Sequence, residues 1–181
     1  GLGKCFAETG RYDQAIFHVE RCLALSPSDR IAAGNLIHML TLAGRKKDAV
    51  AKGELLLPRC GREAQFVLSL ASAYVAITEY AKAEQLLKAF TNQVGLAPNL
   101  VTYLGAVLLN LGRAPEAEQV LRRLLQFVPG DSAATGLLAS TLNYLPNADR
   151  RECFELHRAF GRSIELGKPV VDPLSFANTP A

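Results

Sequence analysis

The sequence predicts an all-α chain built as a solenoid of stacked helical hairpins. Ala15, Ala49, Ala83 and Ala117 follow one another at a constant spacing of 34 residues. A fixed period of that size is the signature of a helix-pair array, in which each unit touches only its neighbours. Each alanine follows a turn signal, Gly10-Arg11, Gly44-Arg45, Thr78-Glu79 and Gly112-Arg113. Apolar residues also line up in columns at that period. Leu2, Leu36, Leu70 and Leu104 form one, and Phe6, Leu40, Tyr74 and Leu108 another, faced from the partner helix by Val19, Gly53, Leu87 and Leu121. The column Gly3, Ile37, Ala71 and Gly105 is mostly small, which lets the two helices of a hairpin approach closely.

The first hairpin pairs a helix ending near Thr9 with one over Tyr12 to Leu25, closed by Ser26-Pro27-Ser28-Asp29. Pro27 cannot continue a helix, and Ser28 or Asp29 can cap the next. The period places the start of this repeat about five residues before Gly1, so a longer array is expected. The second hairpin is predicted over Ile31 to Ala43 and Lys46 to Leu57, with Pro58 as its stop. The third covers Glu63 to Ile77 and Tyr80 to about Asn92. The fourth covers Asn99 to Leu111 and Pro115 to Phe127, ending in Val128-Pro129-Gly130-Asp131. At the turn, Gly10, Gly44 and Gly112 suit a left-handed residue. Thr78 does not, so the third turn is predicted to be strained. A fifth unit starts with Ala133 to Leu142 and is then interrupted by Asn143-Tyr144-Leu145-Pro146-Asn147. A new amphipathic helix follows over 148–161, with Cys153, Phe154, His157 and Phe160 on one stripe, Asp149 as its cap and Gly161 near its end. The organisation is therefore four repeats over 1–130, a partial fifth repeat and a capping or linker helix over 131–165, and an extended, proline-containing tail over 166–181.

Composition narrows the function classes. Twenty basic and 17 acidic residues leave a net charge of +3, too little for a phosphate-backbone footprint, so nucleic acid is not indicated. Cys5, Cys22, Cys60 and Cys153 form no C-x-x-C pair and read as reduced packing residues of a cytoplasmic-type protein. No apolar run approaches the roughly 18–20 residues that span a bilayer, so no membrane role is expected. His18 and His38 are isolated, and a lone helical histidine is more often a packing or surface residue than a base or ligand. There is no glycine-rich phosphate loop and no supported nucleophile set, so no catalytic residue, cofactor or metal is assigned. The runs Arg45-Lys46-Lys47, Arg122-Arg123 and Arg150-Arg151 read as a solvated face.

The columns resemble the tetratricopeptide repeat: Leu2-Gly3, Phe6, Gly10, Tyr12, Ala15, Cys22 and Pro27 fall where that family places its small, aromatic, alanine and proline residues. The resemblance covers residues 1 to about 130. It implies a right-handed superhelix whose first helices line a concave groove for peptides and protein partners. Mapped onto this sequence, the groove positions include Lys4, Glu8, Asn35, His38, Thr41, Gln65, Ser69, Ser72, Asn99, Thr102, Tyr103 and Asn110. Amides and hydroxyls both donate and accept, which suits an extended peptide backbone; the other reading is that these positions are merely solvated. The basic carboxylate clamp of the co-chaperone members is absent.

A second resemblance concerns Leu137-Leu138-Ala139-Ser140-Thr141-Leu142-Asn143-Tyr144-Leu145-Pro146 followed by Phe154, His157-Arg158 and Gly161. This run is similar to the segment joining the tetratricopeptide array to the catalytic region of bacterial O-linked N-acetylglucosamine transferases and SPINDLY-type proteins. It implies a glycosyltransferase-like parent, with no catalytic position inside this chain. That family's ladder of groove asparagines matches at Asn35 only, with Ser69 and Tyr103 at the equivalent places. The expected function is a scaffold that holds a partner or substrate polypeptide in its groove; the alternative is a stand-alone adaptor with no enzymatic parent. The array's ends present apolar faces, so homo-oligomers formed through them are a further expected association.

Overall fold

The computed structural model describes residues 11–166, with side chains through Ile164. Lys4, Glu8, Cys5, the first helix and the tail from residue 167 lie outside the described residues. Among the described residues there are nine helices and no strand. In chain order they are α1 (Tyr12–Leu25), α2 (Arg30–Leu42), α3 (Lys46–Cys60), α4 (Ala64–Ala76), α5 (Tyr80–Gln93), α6 (Pro98–Asn110), α7 (Ala114–Phe127), α8 (Ser132–Leu142) and α9 (Arg150–Leu166). None of them is long and apolar enough to cross a membrane.

The hairpins are α2–α3, α4–α5, α6–α7 and α8–α9, and each second helix also packs on the first helix of the next unit. The first helices α2, α4, α6 and α8 touch in series and form an inner layer. The columns predicted from the sequence are the core: Leu36, Leu70 and Leu104, then Leu40, Tyr74 and Leu108, then Leu87 and Leu121 are all buried. Ala15, Ala49, Ala83 and Ala117 are fully enclosed at 0% exposure, because the paired helix leaves no room for a larger side chain there. At Gly105 an added Cβ would lie 3.0 Å from the Leu121 side chain, the close hairpin contact that a small column permits. Each fully buried leucine contributes about 1.5–3 kcal/mol, and the buried residues form two clusters, one from Ala15 to Ala117 and one around Leu121, Leu124, Leu138 and Leu142, with Val120 packed against both.

Two of the first helices start on an aspartate cap, while α4 and α6 start without a side-chain cap. Asp29 and Asp131, three periods apart, accept from the backbone N–H of Ala32 and Ala134 at 2.9 Å and cap α2 and α8. The second helices α1, α3, α5 and α7 start without a side-chain cap; Arg45 and Arg113 instead reach forward to the first-turn acids Asp48 and Glu116. The turns before them are left-handed as expected, at φ +78° for Gly44 and +73° for Gly112. Thr78 adopts φ +66°, the strained position anticipated in the third unit.

The outer helices are tied to one another by ion pairs. Lys52 meets Glu20, Lys82 meets Glu54, Arg113 meets Glu84 and Arg122 meets Glu152, so each link joins consecutive second helices. The polarity reverses at the last link, where the arginine comes from the earlier helix.

Four sequence expectations are corrected. Pro58 does not stop α3, which runs on to Cys60. The ring removes only the bond that its N–H would have given Glu54, on an exposed face, and Gly61 N–H closes the helix on Leu57 at 2.9 Å. Cys22 is exposed rather than packed, while Cys60 is buried and Cys153 half-buried. The helix expected over 148–161 as a cap or linker, α9, lies along α8 as the other second helices lie along their partners. A longer connection of successive i→i+3 turns from Asn143 to Asp149 replaces the glycine turn. Finally, α9 extends past Gly161 to Leu166, and its inward stripe is Cys153, Leu156 and Phe160, with Phe154 and His157 exposed. Gly136 admits this packing, since a Cβ there would lie 2.7 Å from the Phe160 ring. Asp149 caps α9 as predicted, accepting from Arg151 N–H at 2.8 Å.

Candidate functional site

A first helix in this array has one side against its own partner, one against the neighbouring units and one left open. The open sides of α2, α4, α6 and α8 make the groove. On α2, His38 is exposed, and Asn35 and Thr41 are half-buried; the Thr41 hydroxyl donates to the Ile37 carbonyl at 2.9 Å. On α4, Gln65 is exposed and Ser72 half-buried, but Ser69 is only 2% exposed and donates its hydroxyl to the Gln65 carbonyl at 2.9 Å. Ser69 is thus closed to a ligand.

The richest part of the groove is on α6. Asn99, Thr102 and Tyr103 line one open cleft of about 540 Å³, walled by Leu68 of α4 on one side and by Ala133 and Leu137 of α8 on the other. Ala106 and Pro98 complete the α6 wall, and Asp131 stands at the edge. Asn99 is exposed and its Oδ1 accepts from Leu100 N–H at 3.0 Å, so its amide N–H groups remain available. The Thr102 Oγ1 is buried with no hydrogen-bond partner. Asn110 lies beyond this cleft, with its amide donating to the Ala106 carbonyl at 2.9 Å.

Of the twelve groove positions read from the sequence, the cleft brings together three, Asn99, Thr102 and Tyr103. Leu68, Ala106 and Leu137 are not among them, although the period points to each: Leu68 is one period before Thr102, Ala106 one after Ser72, and Leu137 one after Tyr103. Selecting only polar residues from the columns hides the apolar half of the site.

A polar rim surrounds a patch of leucine, alanine and tyrosine, a lining that suits an aliphatic or aromatic side chain on an extended backbone. Among the described residues no group of three or more His, Cys, Asp or Glu could hold a metal ion. His18 stacks edge-on against Phe17 at 5.7 Å between ring centroids.

Two tetratricopeptide-repeat family models match the chain, one over residues 68–132 and one over residues 1–29. No curated protein matches it significantly. Among solved structures, MamA superposes with a TM-score of 0.72 at 18% identity, covering 92% of this chain and 96% of that one. A thermophilic TPR protein of Thermus thermophilus superposes with a TM-score of 0.65 at 23% identity, covering 91% of this chain and 96% of that one. At these identities the likeness is one of fold.

Proposed function

We propose that this chain, which belongs to the tetratricopeptide-repeat family, is a scaffold that holds an extended segment of a partner protein in the groove of its first helices. The observation that carries this is the cleft between α4, α6 and α8. Asn99 and Tyr103 offer hydrogen bonds to a peptide backbone beside a Leu68, Ala106 and Leu137 surface for one large apolar side chain. Tyrosine is a favoured anchor at such sites because it buries much area at little rotamer cost.

The expected glycosyltransferase parent rests on the 137–161 resemblance alone. Both matching family models are tetratricopeptide repeats, and Leu138, Leu142, Cys153, Leu156 and Phe160 in this segment have a packing role at the α8–α9 contact. A stand-alone adaptor is the other reading, and it is consistent with solved neighbours that are matched over most of their own length by such an array.

The test is selection of binders from a displayed peptide library, followed by fluorescence anisotropy on wild type, Tyr103→Ala and Leu137→Gln. Selected peptides are expected to share a large apolar residue and to lose at least about tenfold in affinity on either variant. Binders indifferent to both substitutions would place recognition elsewhere.

A further inference from the structure

The outer edge of the array carries a feature that the groove does not use. Arg30, Arg59 and Arg62 line a cleft of about 450 Å³ whose floor includes Leu57, Leu86 and Phe90. All three arginines are exposed. None forms an ion pair among the described residues, whereas Arg113 and Arg122 are each held by two carboxylates. No Asp or Glu lines the cleft. Of the neighbouring acids, Asp29 is occupied in capping Ala32 and Glu63 follows Arg62 in the chain. Burial pushes the thiol of Cys60 up, the charges of Arg30 and Arg59 act against that and the weaker effect of Asp29 acts with it, so both guanidinium groups reach the same spot electrostatically.

One period later the same cleft recurs. Leu57, Leu86 and Phe90 correspond, 34 residues on, to Thr91, Val120 and Leu124, which line a cleft of about 460 Å³. Its rim is chemically inverted. Arg62 is replaced by Leu96, 52% exposed, and Gln93 by Phe127, 64% exposed, with Arg123 the only charged residue in the lining. The stacking of second helices creates the cleft in both units, and the side chains alone make one cationic and the next apolar. Exposed Leu96 and Phe127 in one cleft are costly as plain surface and useful as a contact, and the three arginines beside them are free to pair with an incoming carboxylate.

We propose that these two adjacent clefts together bind an acidic segment of a partner protein. Its carboxylates sit on Arg30, Arg59 and Arg62, and a large apolar side chain sits between Leu96 and Phe127. The guanidinium fork matches a carboxylate in two parallel hydrogen bonds, which favours arginine over lysine at such a rim. A nucleic-acid strand would need the cationic lining to continue along the edge, and the second cleft is mostly apolar. The surface lies at the edge where α3, α5 and α7 end and α2 begins, and it shares no lining residue with the groove cleft.

The experiment is fluorescence anisotropy of the full chain with a labelled peptide carrying an Asp-Glu-Glu run followed by Leu and Phe. A control peptide replaces the acids by Asn and Gln. Two variants copy residues that the array already tolerates at the equivalent register: Arg62→Leu, combined with Arg59→Gln, and Phe127→Gln. The arginine pair is expected to weaken the acidic peptide at least about tenfold and Phe127→Gln at least about threefold. The control peptide should bind neither form, and Tyr103→Ala should leave binding unchanged. Equal affinity for the acidic and control peptides, or unchanged affinity in the arginine variant, overturns the proposal. Tighter binding of a single-stranded oligonucleotide than of the peptide, lost in the same variant, overturns it in favour of phosphate recognition. Because the groove variant is read in parallel, failure here is distinguishable from failure of the groove reading.

Discussion

The backbone N–H of Glu79 donates to the carbonyl of Tyr74 at 2.9 Å and closes around Thr78 the turn that Arg45 to Leu40 and Arg113 to Leu108 close around Gly44 and Gly112. Three successive hairpins thus share one bond, and only the residue inside it differs. A left-handed backbone costs a residue with a Cβ about 1–2 kcal/mol, and β-branching adds crowding. Glycine gives part of this back through its freer unfolded chain. Thr78→Gly is therefore expected to stabilise the protein by about 1 kcal/mol, read as a higher urea midpoint at unchanged slope. A lower midpoint would show that the Thr78 hydroxyl, which donates to the Ile77 carbonyl at 2.6 Å, outweighs the strain.

The closing helix α9 should respond to acid through Glu152. Arg122 holds both its oxygens, at 2.6 and 2.9 Å, and these hydrogen bonds keep the carboxyl below its ordinary value of 4.5 against the opposing effect of burial. A depressed folded pKa means that the unfolded chain takes up the proton first as pH falls. The contribution is whole above the unfolded value and is lost as pH drops through the folded one. Glu152→Gln is expected to cost about 0.5–1 kcal/mol at pH 7, the scale of a half-exposed pair. The gap to wild type should narrow progressively below about pH 4. Amide exchange along α9 at the two pH values is the measurement, and a gap independent of pH would mean that the pair does not hold the helix.

The alanine column is predicted to be intolerant of volume. Ala83 is 0% exposed between α4 and α5, while Ala81, two residues earlier, is exposed. Ala83→Arg overpacks the hairpin and buries a charge, and is expected to cost about 3 kcal/mol or more, enough to unfold the third unit. Ala81→Arg should leave the melting temperature within a few degrees. Similar melting temperatures for the two variants would contradict the assigned register.

How much can be read from the sequence follows from what each residue answers to. The 34-residue period, the alanine column and the Thr78 exception are set by contacts repeated in every unit, so each copy supports the others. Pro58 misleads because a proline in a last turn loses little, and the residues that end α3 are Cys60 and Gly61. The fifth hairpin escapes the period because its connection is longer than the glycine turn, which displaces α9 out of the register that identifies the other second helices. The groove is half legible. Asn99, Thr102 and Tyr103 stand out as polar, but Leu68 and Leu137 look like core, since no periodicity tells an apolar residue that faces a neighbour from one that faces an open cleft.

Thr102 ties the groove to stability. Other hydroxyls on the first helices return to the carbonyl four residues back, as Thr41 does to Ile37, Ser69 to Gln65, Ser140 to Gly136 and Thr141 to Leu137. Thr102 does not, and its Oγ1 is buried without a partner beside the cleft formed with Asn99 and Tyr103. A buried unpaired hydroxyl costs about 1–3 kcal/mol, whereas valine fills the same volume without it. Thr102→Val is therefore expected to raise stability by about 1 kcal/mol in the free protein. If a peptide in the groove supplies the missing acceptor or donor, the same substitution should weaken that peptide at least about threefold. Calorimetric unfolding and peptide anisotropy on the one variant read both effects. A gain in stability with unchanged affinity would confine Thr102 to the wall of the cleft, and a loss of stability would show that its hydroxyl finds a partner in solution.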